Sequence, residues 1–131
     1  MLASCGGVDL AKRLLIVDDS RVSRMIIKSQ VERLRLGWEV LEAVSGDEAV
    51  ARAAEWAPDF VTMDVNMPGM NGFEATENLL QILPGVRLVL LTANIQESSR
   101  DRAGELGVKF IQKPVTGQAI QQAVSHFLAA A

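Results

Sequence analysis

Tyrosine is absent from this 131-residue chain, and cysteine and histidine occur once each. The lone Cys5 excludes an internal disulfide and fits a reducing compartment. No apolar stretch reaches the roughly 18 residues of a membrane span, so membrane insertion is not expected. Basic residues do not dominate: 13 Lys and Arg stand against 16 Asp and Glu, a formal net charge of -3. That balance lacks the footprint of a nucleic-acid binder. Repeats, low-complexity tracts and interdomain linkers are also missing. Leu2-Ala3-Ser4-Cys5 has the look of a lipoprotein cleavage box, but no charged or apolar signal region precedes it. Residues 1–11 are therefore read as a flexible leader, residues 12–131 as one domain, and the location as cytoplasmic.

What is present is a fivefold alternation of apolar runs and amphipathic segments. Arg13 to Val17 is a continuous apolar run closed by acids, as expected of a strand buried on both faces. From Ser20 a helical pattern places Val22, Met25, Ile26, Val31 and Leu34 on one side and stops at Gly37. Trp38 to Glu42 alternates like an edge strand. Asp47 to Trp56 is an alanine-rich helix, with Ser45 as N-cap and Glu48 placed to complete a capping box. Asp59 to Asp64 is a strand, Asn66 to Gly72 a loop, and Phe73 to Leu83 a helix stopped by Pro84-Gly85. Arg87 to Thr92, Ser98 to Leu106, Val108 to Gln112 and Gly117 to Leu128 complete the alternation, with Gly107 closing the fourth helix. Such a series implies βαβ units, right-handed crossovers and helices on both faces of a parallel sheet.

The residues that end these strands are chemically unusual. Asp18 and Asp19 end the first, Asp64 the third, Thr92 the fourth, and Lys113 follows the fifth. In an open parallel sheet, ligands bind outside the carboxyl ends of the strands, where strand order reverses. Taken alone, Asp18-Asp19 is as well explained by a helix cap and a solvated acid. Asp64 changes this, because it ends a strand that should lie beside the first. Two carboxylates about 4 Å apart repel by roughly 4 kcal/mol at an effective dielectric of about 20. Three need a cation, and oxygen-only ligands with room for water suit Mg²⁺ better than a structural calcium. The turn after Asp64 should leave its oxygen open to attack a phosphoryl group. Lys113 and Thr92 would then serve other phosphoryl oxygens. The Lys113–Pro114 bond is a candidate cis peptide.

Four motifs in this order, LLIVDDS, MDVNMPGMNGFE, LLTAN and FIQKP, give the chain its family likeness. From Lys12 onward it resembles the receiver domain of bacterial two-component response regulators, most closely the stand-alone chemotaxis (CheY-type) members. The resemblance implies an α/β, flavodoxin-like (βα)5 fold with an open parallel sheet of strand order 2-1-3-4-5. It implies Asp64 as phosphoacceptor, Asp19 as a direct Mg²⁺ ligand, Asp18 acting through water, and the Asn66 carbonyl as a further ligand. Thr92 would be the switch hydroxyl, Ala93 the small residue that gives it room, and Lys113 the partner of a phosphoryl oxygen. Phe110 stands where the family carries a rotating aromatic, often tyrosine. Here it has no hydroxyl, which puts any tyrosine hydrogen bond in the output step in doubt, and a plain core role is the alternative.

The expected partners are a histidine kinase as donor and a protein target on the surface of the fourth helix, fifth strand and last helix. Gln118, Gln121, Gln122 and Ser125 give that last helix a weakly charged outer side. His126 lies too close to the C-terminus, and too far from the acids, to be a relay histidine. A monomer is expected, with a dimer left open. The reading is a signalling protein that catalyses its own phosphorylation and dephosphorylation, not an enzyme of metabolism. Alternatives are a phosphorelay intermediate, a receiver cut from a larger regulator, an unphosphorylated interaction module, a flavin carrier, or an aspartyl-phosphate phosphatase. The phosphatase is disfavoured because Asn66, two residues after Asp64, cannot serve as a general acid. The missing tyrosines and the lack of a phosphate-cradling loop disfavour the flavin carrier. The intact acid, threonine and lysine set disfavours the inert module.

Overall fold

The computed structural model describes residues 12–93 and 97–129. The proposed leader, 1–11, lies outside them. Five strands, β1 (Arg13–Val17), β2 (Glu39–Ala43), β3 (Phe60–Asp64), β4 (Arg87–Thr92) and β5 (Lys109–Gln112), alternate with five helices. The helices are α1 (Arg21–Arg33), α2 (Gly46–Trp56), α3 (Gly72–Ile82), α4 (Glu97–Leu106) and α5 (Gly117–Ala129). The sheet order is β2-β1-β3-β4-β5 and every pair is parallel. This is the flavodoxin-like arrangement implied by the resemblance.

Successive strand residues face opposite sides, so each apolar run feeds two cores. Leu15, Val17, Val61, Met63, Leu88 and Leu90 pack under α2, α3 and α4, against Ala49, Ala53, Phe73, Leu79 and Ala103. Leu14, Ile16, Phe60, Val89, Leu91 and Ile111 pack under α1 and α5, against Ile27, Val31, Ile120 and Phe127. All five residues of β3 are buried. Register aligns Leu15 with both Leu41 and Val61, and Met63 with Leu90. Strand order reverses between β1 and β3, which brings the ends bearing Asp18 and Asp64 side by side.

Three local expectations are corrected. Helix α1 stops at Arg33, short of Gly37, because the chain turns through Arg35 at φ 52 and only then Gly37 at φ 72. Its buried stripe is also not the expected one. Ile27 and Val31 are buried, whereas Val22, Met25 and Ile26 are 65%, 57% and 42% exposed. The inward stripe runs Arg24, Ile27, Val31, Leu34, and its first member is charged, which disguises it in the sequence. Ser45 does cap α2, accepting from the Glu48 amide, but the Glu48 carboxylate accepts from the Val44 amide rather than from that of the cap. The reciprocal capping box belongs to α3: Asn71 accepts from the Glu74 amide and Glu74 accepts from the Asn71 amide. Gly107 closes α4 at φ 71, as expected.

Candidate functional site

Each site residue sits where its strand runs out of partners. Asp18 leaves β1 with its amide on the Ala43 carbonyl (3.1 Å) and one carboxylate oxygen accepting from the Ser20 amide (2.9 Å). Ser20 in turn caps α1 through the Ser23 amide. Asp18 is thereby drawn inward, 1% exposed, while Asp19 stays in the open. Asp64 ends β3 and is 5% exposed.

The loop beyond Asp64 is held at both ends. The Val65 amide donates to the Leu91 carbonyl, and its carbonyl accepts from the Gly72 amide, both at 3.0 Å. At Gly72 the first turn of α3 presses on the strand end: a Cβ there would lie 2.3 Å from the Asp64 carbonyl oxygen. Only glycine permits that approach.

The three aspartates each place a carboxylate oxygen within 4.8 Å of the others. Lys113 reaches in from the loop after β5. Its Nζ lies 2.9 Å from Asp18 Oδ2 and 3.3 Å from Asp64 Oδ1. Its own amide donates to the Thr92 carbonyl at 2.7 Å, which ties the end of β5 to the end of β4. The Lys113–Pro114 bond is cis. Burial alone would lower the Lys113 ammonium, but its hydrogen bond to Asp18 and the charges of Asp18 and Asp64 outweigh that and hold it above its usual value. Asp64 is pushed up to about 6, first by burial, then by the charge of Asp18; Lys113 pulls it back only in part. The cluster thus carries more negative charge than its one cation settles. All-oxygen donors, one of them solvent-facing, suit a hard divalent cation.

Thr92 is buried at the end of β4, and the Asn66 side-chain amide lies 3.5 Å from its hydroxyl. Asn66 itself is exposed, as is Ala93. Phe110 pairs with Leu90, two residues before Thr92 and on the same face of the sheet, and packs half-buried against the α2–α3–α4 core. The expected acids, lysine and threonine therefore converge on one sheet edge, with Phe110 one layer below. Gln118, Gln121, Gln122 and Ser125 line a groove of about 520 Å³ with Lys109 and His126. His126 borders the opposite end of the sheet, beside Gly85 to Leu88. Its imidazole is lowered by burial and by the nearby charges of Lys109 and Arg87.

Two contributors escaped the sequence reading. One is Gly72, whose need for a bare α-carbon depends on a backbone distant in neither sequence nor space but visible only after folding. The other is Arg24. Its Nη1 donates to the Asp18 carbonyl and its Nε to Glu42, each at 2.8 Å. A charged residue one turn inside a helix that leaves a strand end is a usable signal, although its partner Glu42 is not.

The response regulator receiver domain matches residues 14–125. The chain belongs to that family. This receiver is 37% identical over 118 residues to the chemotaxis protein CheY of Thermotoga maritima, covering 88% of this chain and 97% of the relative. It is 38% identical over 121 residues to CheY of Bacillus subtilis, covering 91% and 99%. Protein PilH of Pseudomonas aeruginosa is 32% identical over 120 residues, covering 89% and 98%. Among solved structures, a CheY-like receiver domain from Methanospirillum hungatei superposes with a TM-score of 0.84 at 25% identity, covering 92% and 95%. Vibrio cholerae CheY4 gives 0.82 at 25% identity, covering 91% and 100%. The protein is thus a CheY-like receiver of two-component signalling. Receivers of this type bind Mg²⁺ at an aspartate cluster, take phosphate from histidine kinases and act on protein targets. Among the described residues no helix is long and apolar enough to cross a membrane.

Proposed function

We propose that residues 12–131 form a phosphoacceptor switch in which Asp64 takes a phosphoryl group from the phosphohistidine of a kinase. The observation that carries this reading is the Lys113 ammonium, set 2.9 Å from Asp18 and 3.3 Å from Asp64 at the mouth of the sheet. A carboxylate oxygen of Asp64 forms the new bond to phosphorus. The phosphorus–nitrogen bond to the donor breaks, and the imidazole departs with its electron pair and takes up a proton. Little covalent help is needed in such a transfer; placement and charge neutralisation do most of it. Asp19 and Asp64 directly, Asp18 through water and the Asn66 carbonyl would hold a divalent cation, which would supply positive charge to the carboxylates and the incoming phosphoryl oxygens. Lys113 pairs with one of those oxygens from the other side. The Thr92 hydroxyl donates to a third, moving into the space beside Ala93.

Once formed, the acyl phosphate biases a two-state equilibrium. Thr92 is drawn toward Asp64, Phe110 turns inward, and the α4-β5-α5 surface changes for a protein target. This is a signalling cycle in the cytoplasm, with self-catalysed phosphorylation and hydrolysis, carried by a monomer. The test is incubation with acetyl phosphate and Mg²⁺, with the modified residue located by mass spectrometry. Labelling at Asp64 that needs Mg²⁺ supports the reading. Labelling at Asp18 or Asp19, or steady turnover of a generic phosphomonoester, overturns it.

A further inference from the structure

The peptide plane between Asp18 and Asp19 is gripped from outside the site. Asp18 spends each of its polar groups on a fixed partner: its amide on Ala43, one carboxylate oxygen on the Ser20 amide, the other on Lys113. Its carbonyl accepts from Arg24 Nη1 at 2.8 Å. That carbonyl, the Asp19 amide and the Asp19 α-carbon share one rigid plane, so holding the carbonyl restricts where the α-carbon that carries the Asp19 carboxylate can lie. Arg24 is itself aimed. Its Nε donates to Glu42 on β2 at 2.8 Å, and its side chain is only 12% exposed. A planar guanidinium can hold a carboxylate and a carbonyl at a set angle, which a lysine ammonium cannot.

We propose that Arg24, oriented by Glu42, is a positioning residue for the divalent-cation site. It holds the Asp18–Asp19 peptide so that the exposed Asp19 carboxylate stands ready beside Asp64 before the cation arrives. The inference rests on the reading of the three aspartates as a cation site. The sign of the effect separates it from mere electrostatics. A guanidinium next to the site repels Mg²⁺, so if charge were its only contribution, removing it would tighten binding. Loss of positioning weakens binding instead, by the roughly 10-fold or more typical of partners that orient metal ligands.

The experiment is calorimetric titration of Mg²⁺ into wild type, Arg24→Lys, Arg24→Ala, Glu42→Gln and Asp19→Ala, each first checked for a cooperative thermal transition. Arg24→Lys keeps the charge but loses the planar fork and one bond of reach, and carries the test if Arg24→Ala does not fold. We expect about 10-fold weaker Mg²⁺ binding in Arg24→Lys. Glu42→Gln, which keeps an oxygen to accept from Nε, should lose less. The Mg²⁺ concentration for half-maximal acetyl phosphate labelling should rise in Arg24→Lys, while the rate at saturating Mg²⁺ stays near wild type. In metal-free buffer, the ¹⁵N relaxation of the Asp19 amide should show a more mobile peptide in Arg24→Lys. Unchanged or tighter Mg²⁺ binding in Arg24→Lys overturns the role of Arg24 and leaves the cation site standing. A wild type that binds no Mg²⁺, or an Asp19→Ala variant that binds it as well as wild type, overturns the cation-site reading and this inference with it.

Discussion

At the end where the strands begin, three rings pack together: Phe60 stacks on Phe127 at 4.8 Å and 17°, and Trp38 tilts against Phe60 at 4.8 Å. At the end where the strands finish stand Asp18, Asp19 and Asp64, with one lysine among them. The same five strands connect the two ends, yet their side chains do opposite work. Aromatic contacts bury area and add directional attraction. At the acid end burial first, and the charge of Asp18 second, push Asp64 up to about 6. One end holds the sheet together and the other keeps unrelieved repulsion in store for a ligand, a division common where activity requires a destabilised site.

The comparison breaks most decisively at Asp64. Asp64→Asn should abolish labelling by acetyl phosphate and, in metal-free buffer above pH 6, leave the thermal midpoint no lower than wild type. Mass spectrometry and a melting curve read both, and a lower midpoint would mean that the acid end also holds the fold. The mirror experiment is Phe60→Ala, which should cost about 3–5 kcal/mol in urea unfolding. The folded fraction should still be labelled at Asp64. Loss of labelling there, out of proportion to loss of fold, would show that the ends are not separable.

A gentler probe is pH with and without Mg²⁺. Folding pushes Asp64 up from the ordinary 3.8 to about 6, so the native state binds its proton more tightly than the unfolded chain. Its contribution to stability is therefore complete below pH 3.8 and is lost as pH rises through about 6. Metal-free urea titrations should show that decline, and Asp64→Asn should flatten it. At neutral pH, Mg²⁺ at about a hundred times its Kd should restore about 2.7 kcal/mol. Asp19→Ala should lose more of that restoration than Asp18→Ala; equal and full restoration in both variants would refute the ligand assignment. The smallest effect concerns coupling between layers. Thr92→Ala should still accept phosphate at Asp64 but respond less at Phe110. Fluorine NMR of labelled phenylalanine with and without beryllofluoride checks it, and an identical response would uncouple the two residues.

The strands and the residues that end them were legible because a doubly buried parallel strand writes itself as an unbroken apolar run. LLIV, FVTM and LVLL stop where Asp18, Asp64 and Thr92 begin, so local reading located the edge of the sheet. Ser45 and Gly107 were legible for the same reason, since caps act on their own helix. What stayed hidden depends on contacts that exist only once the chain has folded. The inward stripe of α1 starts with Arg24, which reads as a surface residue until Glu42 and the Asp18 carbonyl are placed beside it. The α3 capping box lay inside a stretch that proline and glycine made look like loop. The bare α-carbon of Gly72 answers a backbone contact that no periodicity records.

The Lys113–Asp18 ion pair joins residues 95 positions apart. During synthesis all three aspartates and Thr92 leave the ribosome well before their lysine does. A chain paused anywhere before β5 holds the acids without their counter-charge, and contacts of such long span are the slowest to close. On the proposed chemistry, the ammonium that would meet the incoming phosphoryl group arrives only when the last strand docks, so completion of the sheet and readiness to receive a message would coincide.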